Sequence, residues 1–207
     1  MQSWSITTYF IFAWYQKVEY IWSSWNNESW QFIRTWFKAN NNTSIEMEAM
    51  ATSLYQNANF WCSRDINAWT KLFALFRIWS ELRQDFFTNQ SATWYNISIN
   101  TKYTIKEDKN KLYVNWSLIR KATNWTFQSP YEMLLLCSNA WWDVTWLWNF
   151  FYWRLYHCKL RDNWTLIRDF YPVYRKSDSV IWLLDIVNKV FYTNQWSGSF
   201  TKWPDIN

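Results

Sequence analysis

The sequence predicts a single all-β domain, a sandwich of two antiparallel sheets. Three observations carry that expectation: period-two hydrophobic segments are common, helix signals are scarce, and turn-forming clusters punctuate the chain at strand-length intervals. A chain of 207 residues, half of them apolar, is large enough to bury a substantial core.

The composition carries one anomaly. There are 21 tryptophans and 1 glycine, against about 7% glycine in an ordinary soluble domain. The two frequencies look exchanged, and together they make up about a tenth of the chain, a normal glycine content for a β protein with many tight turns. Local context agrees. Trp116, Trp125 and Trp164 each follow an asparagine, and Asn-Gly is the strongest short hairpin signal, because a type I′ turn needs positive φ at both central residues. The flanks of Asn115-Trp116 (KLYV before, SLIR after) and of Asn163-Trp164 (RLYHCKL before, TLIRDF beyond) have strand character. We therefore read most tryptophans as occupying glycine positions. If half of them needed left-handed backbone, at ~1–2 kcal/mol each, the strain would reach ~10–20 kcal/mol, against a usual net stability of ~5–15 kcal/mol. UGA decoded as Trp instead of Gly would generate the pattern, and so would deliberate Gly→Trp replacement. The competing reading is a genuine aromatic core or a row of sugar-stacking platforms.

Taken in order, residues 1–13 are expected to be an N-terminal extension or linker and 14–207 the domain. The apolar stretch 9–13 (YFIFA) has no basic region before it and is too short to span a bilayer, so no signal peptide is recognised and no membrane partner is expected. Residues 44–49 (SIEMEA), 95–99 (YNISI) and 103–106 (YTIK) alternate as strands do, with turns at 40–42, 107–110 and 176–179. The apolar run 71–78 (KLFALFRI) suits a strand buried on both faces better than a short helix, because Trp69 and Trp79 bound it as turn glycines would. Cys62, Cys137 and Cys158 show no metal spacing and read as small buried residues, with a Cys137–Cys158 bridge disfavoured. The N-x-S/T sequons arise by chance in an asparagine-rich chain. The net charge of +5 is dispersed, which argues against a nucleic-acid partner.

With glycine restored mentally, residues 15–21 (YQKVEYI), 31–38 (QFIRTWFK) and 40–43 resemble the start of a concanavalin A-like lectin/glucanase domain, similar to LamG-type jelly rolls of phage and prophage structural proteins. Residues 154–160, 166–178, 181–185, 190–194 and 200–204 extend the resemblance over roughly 14–205. It implies a two-sheet antiparallel jelly-roll sandwich that hosts either sugar-binding modules or glycoside hydrolases. A retaining glycosidase needs two carboxylates about 5 Å apart. Glu46 with Glu48, and Glu81 with Asp85, read as ordinary solvent-facing charge, so the chain is not expected to be an enzyme. His157 lies in an alternating strand without a nucleophile motif and reads as a strand-face histidine. Asp143 and Asn149 in the loop 141–149 are of the type that ligates Ca²⁺ or hydrogen-bonds sugar hydroxyls, although a plain connector is favoured there. Asp65 and Asn67 suit polar-ligand recognition and turn capping equally. These four are the candidate ligand-binding residues, and no cofactor is expected beyond a structural Ca²⁺. The expected role is a non-catalytic lectin-like or structural module of a virion or cell surface. Its partners would be cell-surface glycan or neighbouring virion proteins, with homo-oligomers within scope. A glycoside hydrolase and a purely architectural tail subunit are the alternatives.

Overall fold

In the computed structural model, which describes residues 14–23, 31–54, 58–63, 72–141, 143–148, 153–195 and 198–205, every element is a strand and every strand pairing is antiparallel. The larger sheet runs β16 (Val190–Tyr192), β15 (Ile181–Asp185), β14 (Thr165–Arg175), β1 (Tyr15–Ser23), β13 (Trp153–Asp162), β3 (Thr43–Ala51), β7 (Lys102–Asp108), β8 (Lys111–Val114) and β9 (Ser117–Lys121), with β17 (Thr201–Asp205) also on β1. The second sheet runs β2 (Ile33–Asn40), β10 (Gln128–Leu135), β4 (Ala58–Ser63), β5 (Leu72–Ile78) and β6 (Glu81–Asn96). A hairpin of β11 (Ser138–Trp141) and β12 (Asp143–Trp148) stands apart. The chain is thus the two-sheet jelly-roll sandwich that its sequence predicts.

The core lies where the inner faces meet. On β3, Ile45, Met47 and Ala49 point inward while Glu46 and Glu48 face out, so strand alternation sets the orientation of the whole sheet. A register irregularity between Asn59 and Trp61 lets two successive aromatics of β4 turn inward. Phe60 then meets Trp153 of the opposite sheet edge-on at 4.2 Å. Each large aromatic buries about 150–250 Å², worth roughly 4–6 kcal/mol of transfer energy at ~25 cal/mol/Å². One polar bridge crosses this core: the fully buried Glu107 of β7 accepts hydrogen bonds from Trp61 Nε1 at 3.0 Å and Gln84 Nε2 at 2.8 Å, both from the second sheet. Burial pushes the Glu107 carboxyl well above its ordinary range, against those two hydrogen bonds, and the nearby Asp85 adds to the rise.

Two groups stand out among the tryptophans of the described segments. Trp36, Trp79, Trp94, Trp116 and Trp164 have φ between 54° and 72° and are 62–85% exposed. Asn115-Trp116 and Asn163-Trp164 have positive φ at both residues, the geometry of a type I′ turn. Trp36 sits in a bulge of β2 against β10, and Trp94 repeats its hydrogen-bond pattern. At each, a threonine hydroxyl bonds a carbonyl of the neighbouring strand segment (Thr35 to Met133, Thr93 to Leu82), and a glutamate (Glu132, Glu81) accepts the tryptophan N–H. Left-handed residues of this kind favour glycine. Trp61 and Trp153, in contrast, are fully buried and packed as core aromatics, so the exchange of tryptophan for glycine does not describe them.

Three local expectations are corrected. Asn124-Trp125 is not a hairpin: residues 122–127 form an irregular link, and neither residue has positive φ. The strand expected over 95–99 ends at Asn96, where Ile97 N–H bonds the Ser80 carbonyl and closes β6 back on itself. The segment 141–149, favoured as a connector, is the β11–β12 hairpin over its described residues, with Leu147 opposite Asn139. Over its described part, 72–78, the run expected to be a strand forms β5, and Cys62, Cys137 and Cys158 are buried. Residues 1–13 and Trp69 lie outside the described segments.

Candidate functional site

The outward face of the larger sheet carries a strip of tyrosines and charged groups where β1, β13, β3, β7 and β14 lie side by side. Alternation on β13 would send only one of Tyr156 and His157 outward. A register irregularity between Leu155 and His157 turns both out, Tyr156 as the extra residue and His157 opposite Glu48 of β3.

At one end of the strip, His157 Nε2 lies 2.5 Å from Asp169 Oδ1 on β14, and the Tyr171 ring packs on the imidazole at 4.4 Å. Lys17 of β1 stands over the other ring of this pair, with its ammonium 4.5 Å from the Tyr171 centroid. Partial burial lowers the Lys17 pKa, opposed by the Asp169 charge, and raises that of Tyr171, helped by Asp169 and Glu48. The carboxylate fixes the imidazole in one orientation, so the group presents a rigid, hydrogen-bonding edge to solvent.

At the other end, Tyr20 of β1 and Tyr156 pack at 5.1 Å, with the Arg154 guanidinium 4.8 Å from the Tyr20 centroid and the Lys102 ammonium 4.5 Å from that of Tyr156. Lys102 is also paired with Glu48 at 2.8 Å. Burial raises the Tyr156 pKa, against a hydrogen bond and charge from Arg154. Beside this cluster, Tyr20, Trp22, Arg154, Thr201 and Lys202 line a hollow of about 230 Å³. Apolar ring surface interleaved with fixed donors and acceptors is the composition of a binding site for a polar ligand.

Of the residues singled out from sequence, Asp65, Asn67 and Asn149 lie outside the described segments. Asp143 opens β12, opposite Trp141. Among the described residues, no group of three or more His, Cys, Asp and Glu is arranged to hold a metal. The carboxylate pairs do not converge. Glu46 is flanked across strands by Lys106 and Lys159, and Glu81 is engaged by Arg83 at 2.8 Å. Asp85 lies four residues along the strand from Glu81, about 13 Å at strand rise, and is buried.

A larger hollow of about 380 Å³, bounded by Asp178, Asn194 and Ser199, is less suited to a ligand. Its polar side chains hold the loops together: Asp178 takes Arg175 and the Val180 N–H, and Asn194 spans Phe32 N–H and the Gly198 carbonyl.

Sequence reasoning placed His157 on a strand face but missed Asp169, Tyr171, Lys17, Tyr20 and Arg154. Counted rigidly from the Asn163-Trp164 turn, His157 would face Phe170. An irregularity between Leu160 and Arg161 advances the register by one, so that Cys158 faces Phe170 and Tyr171 falls beside His157.

No family model matches the chain, and no curated protein matches it. Among solved structures, it is similar to a protein from Bacteroides ovatus ATCC 8483 described as a "putative carbohydrate binding protein", with a TM-score of 0.57 and 10% identity. The similarity covers 92% of this chain and 62% of that one. The likeness is one of fold.

Proposed function

We propose that the chain is a non-catalytic carbohydrate-binding module whose ligand lies on the outward face of the ten-stranded sheet. The observation that carries this reading is the strip itself: the part-exposed rings of Tyr156 and Tyr171 lie among Arg154, Lys102, Glu48 and His157 on the outer face of the sheet, with Tyr20 and Asp169 buried beneath them as supports. Tyrosine offers an apolar ring face to the C–H face of a sugar and a hydroxyl to its edge, and the fixed charged groups select among hydroxyl patterns. The fold relative described as carbohydrate binding supports the same reading.

The finer setting, a module displayed on a phage or prophage particle where it meets cell-surface glycan or neighbouring virion proteins, rests on the sequence resemblance. We also read the five exposed tryptophans at positive φ as glycine positions, supported by their backbone geometry and the composition. The strip's tyrosines do not depend on that reading.

Affinity electrophoresis through gels containing a panel of soluble polysaccharides, neutral and acidic, tests the proposal. At least one polysaccharide should retard the protein, and Tyr171→Ala and Tyr156→Ala should each weaken that retardation about tenfold, or ~1.4 kcal/mol. Retardation by none, or retardation unchanged in both variants, contradicts it.

A further inference from the structure

Among the cations around the Tyr20–Tyr156 cluster, Arg154 stands apart. Lys102 is paired with Glu48 at 2.8 Å and Lys202 with Asp205 at 2.5 Å. Arg154 forms no ion pair among the described residues: its guanidinium lies over the Tyr20 ring and hydrogen-bonds Tyr156, neither of which neutralises its charge. It also borders the hollow between β1, β13 and β17, whose other walls are Tyr20, Trp22, Thr201 and Lys202, with no carboxylate among them.

We infer that this hollow is a subsite for an anionic sugar unit, one bearing a carboxylate or sulfate, and that Arg154 receives its charge. The inference rests on the carbohydrate-binding reading and names the ligand class. Size comes first. At about 230 Å³ the hollow is smaller than the roughly 300–1,000 Å³ that holds a drug-sized ligand, so it suits one ring of a longer chain.

Charge comes second. A guanidinium is a planar donor fork, which matches two oxygens of a carboxylate or sulfate better than a single hydroxyl. Because Lys202 is already neutralised, the charge that a ligand would meet is that of Arg154. Position comes third. Trp22 faces Arg154 directly across the β1–β13 pairing, and Thr201 faces Trp22 across β1–β17, so ring, cation and hydroxyl converge from three adjacent strands. The hollow adjoins the Tyr20–Tyr156 end of the strip, so an anionic unit here continues into sugars lying over the tyrosines.

The test is calorimetric titration of the full chain with polygalacturonate, chondroitin sulfate and neutral dextran at low and raised salt. Wild type is compared with Arg154→Met, Arg154→Lys and Lys121→Ala, the last removing an exposed charge on β9 as a control. Circular dichroism melts check that each variant folds. At least one acidic chain should bind and dextran at least tenfold more weakly. Arg154→Met should lose about 10–100-fold, the range of a charge-assisted hydrogen bond. Arg154→Lys should lose less, and Lys121→Ala should stay within about twofold. Should Arg154→Met fail to fold, Arg154→Lys and competition by free galacturonate against glucose carry the same comparison. Equal binding of acidic and neutral chains, or equal losses in Arg154→Met and Lys121→Ala, overturns the anionic subsite. If only a neutral glycan binds and Tyr171→Ala weakens it, this inference falls and the carbohydrate-binding reading stands. Binding of neither class overturns both.

Discussion

Replacing Trp36, Trp79, Trp94, Trp116 and Trp164 together by glycine should stabilise the protein, although a fivefold loss of large side chains would ordinarily do the opposite. All five have φ in the left-handed region and are mostly exposed, so little burial is forfeited. Relief of the Cβ clash is worth ~1–2 kcal/mol per residue, and the extra freedom that glycine gives the unfolded chain returns ~0.4–1 kcal/mol of it. The net is about 0.5–1 kcal/mol per position. Two ring contacts are lost, Arg34 over Trp36 at 4.1 Å and Lys109 over Trp164 at 5.2 Å, each worth ~0.5–1 kcal/mol at an exposed site. The combined gain is therefore about 0.5–4 kcal/mol, or roughly 1–15 °C in Tm for a chain of this size. Urea denaturation followed by far-ultraviolet circular dichroism measures it. Trp153→Gly is the contrast: it empties a buried site against Phe60 and should cost at least ~3–5 kcal/mol. A fivefold glycine variant less stable than the parent would refute the backbone argument and return the exposed tryptophans to consideration as ligand platforms.

Glu107 makes stability depend on pH. Its folded pKa is raised above the ordinary 4.5 by burial, so the stability it contributes is fully present below that value and is lost as pH rises through the folded one. The stability of wild type minus that of Glu107→Gln should fall as pH rises above the ordinary carboxylate range and level off only above the raised folded pKa, and a flat or rising difference excludes this role. Near pH 4, where Glu107 contributes fully, Glu107→Leu should cost ~2–4 kcal/mol by leaving the Trp61 and Gln84 donors unanswered in the core; an effect under about 0.5 kcal/mol would show that the bridge is dispensable. Burial pushes the Cys137 and Cys158 thiols up, so a thiol reagent at pH 8 should titrate none of the three buried cysteines in the folded protein and all three in denaturant. Rapid labelling of the native state would contradict that burial.

The sequence makes the sheets legible because alternation and turn chemistry are local. Ile45, Met47 and Ala49 alternate with glutamates over one strand, and the two Asn-Trp hairpins close with the positive φ expected of them. Longer-range features were hidden by single-residue irregularities. The extra residues near Tyr156 and Leu160 decide that Tyr156, His157, Asp169 and Tyr171 share a face, and neither leaves a composition signal. Glu107 sits in a strand that otherwise reads as alternating, and only the second sheet supplies its partners. The tryptophans misled in one respect: composition groups them, whereas their environments separate exposed left-handed positions from the buried Trp61 and Trp153.

The most direct test of the account is an amide chemical-shift titration of the isotopically labelled protein with whichever soluble oligosaccharide binds. Perturbations should concentrate on Lys17, Tyr20, Arg154, Tyr156, His157, Asp169 and Tyr171, across β1, β13 and β14. Perturbations confined to the five-stranded sheet or to the hollow by Asp178 and Asn194, with the strip unmoved, would contradict a carbohydrate-binding face on the larger sheet.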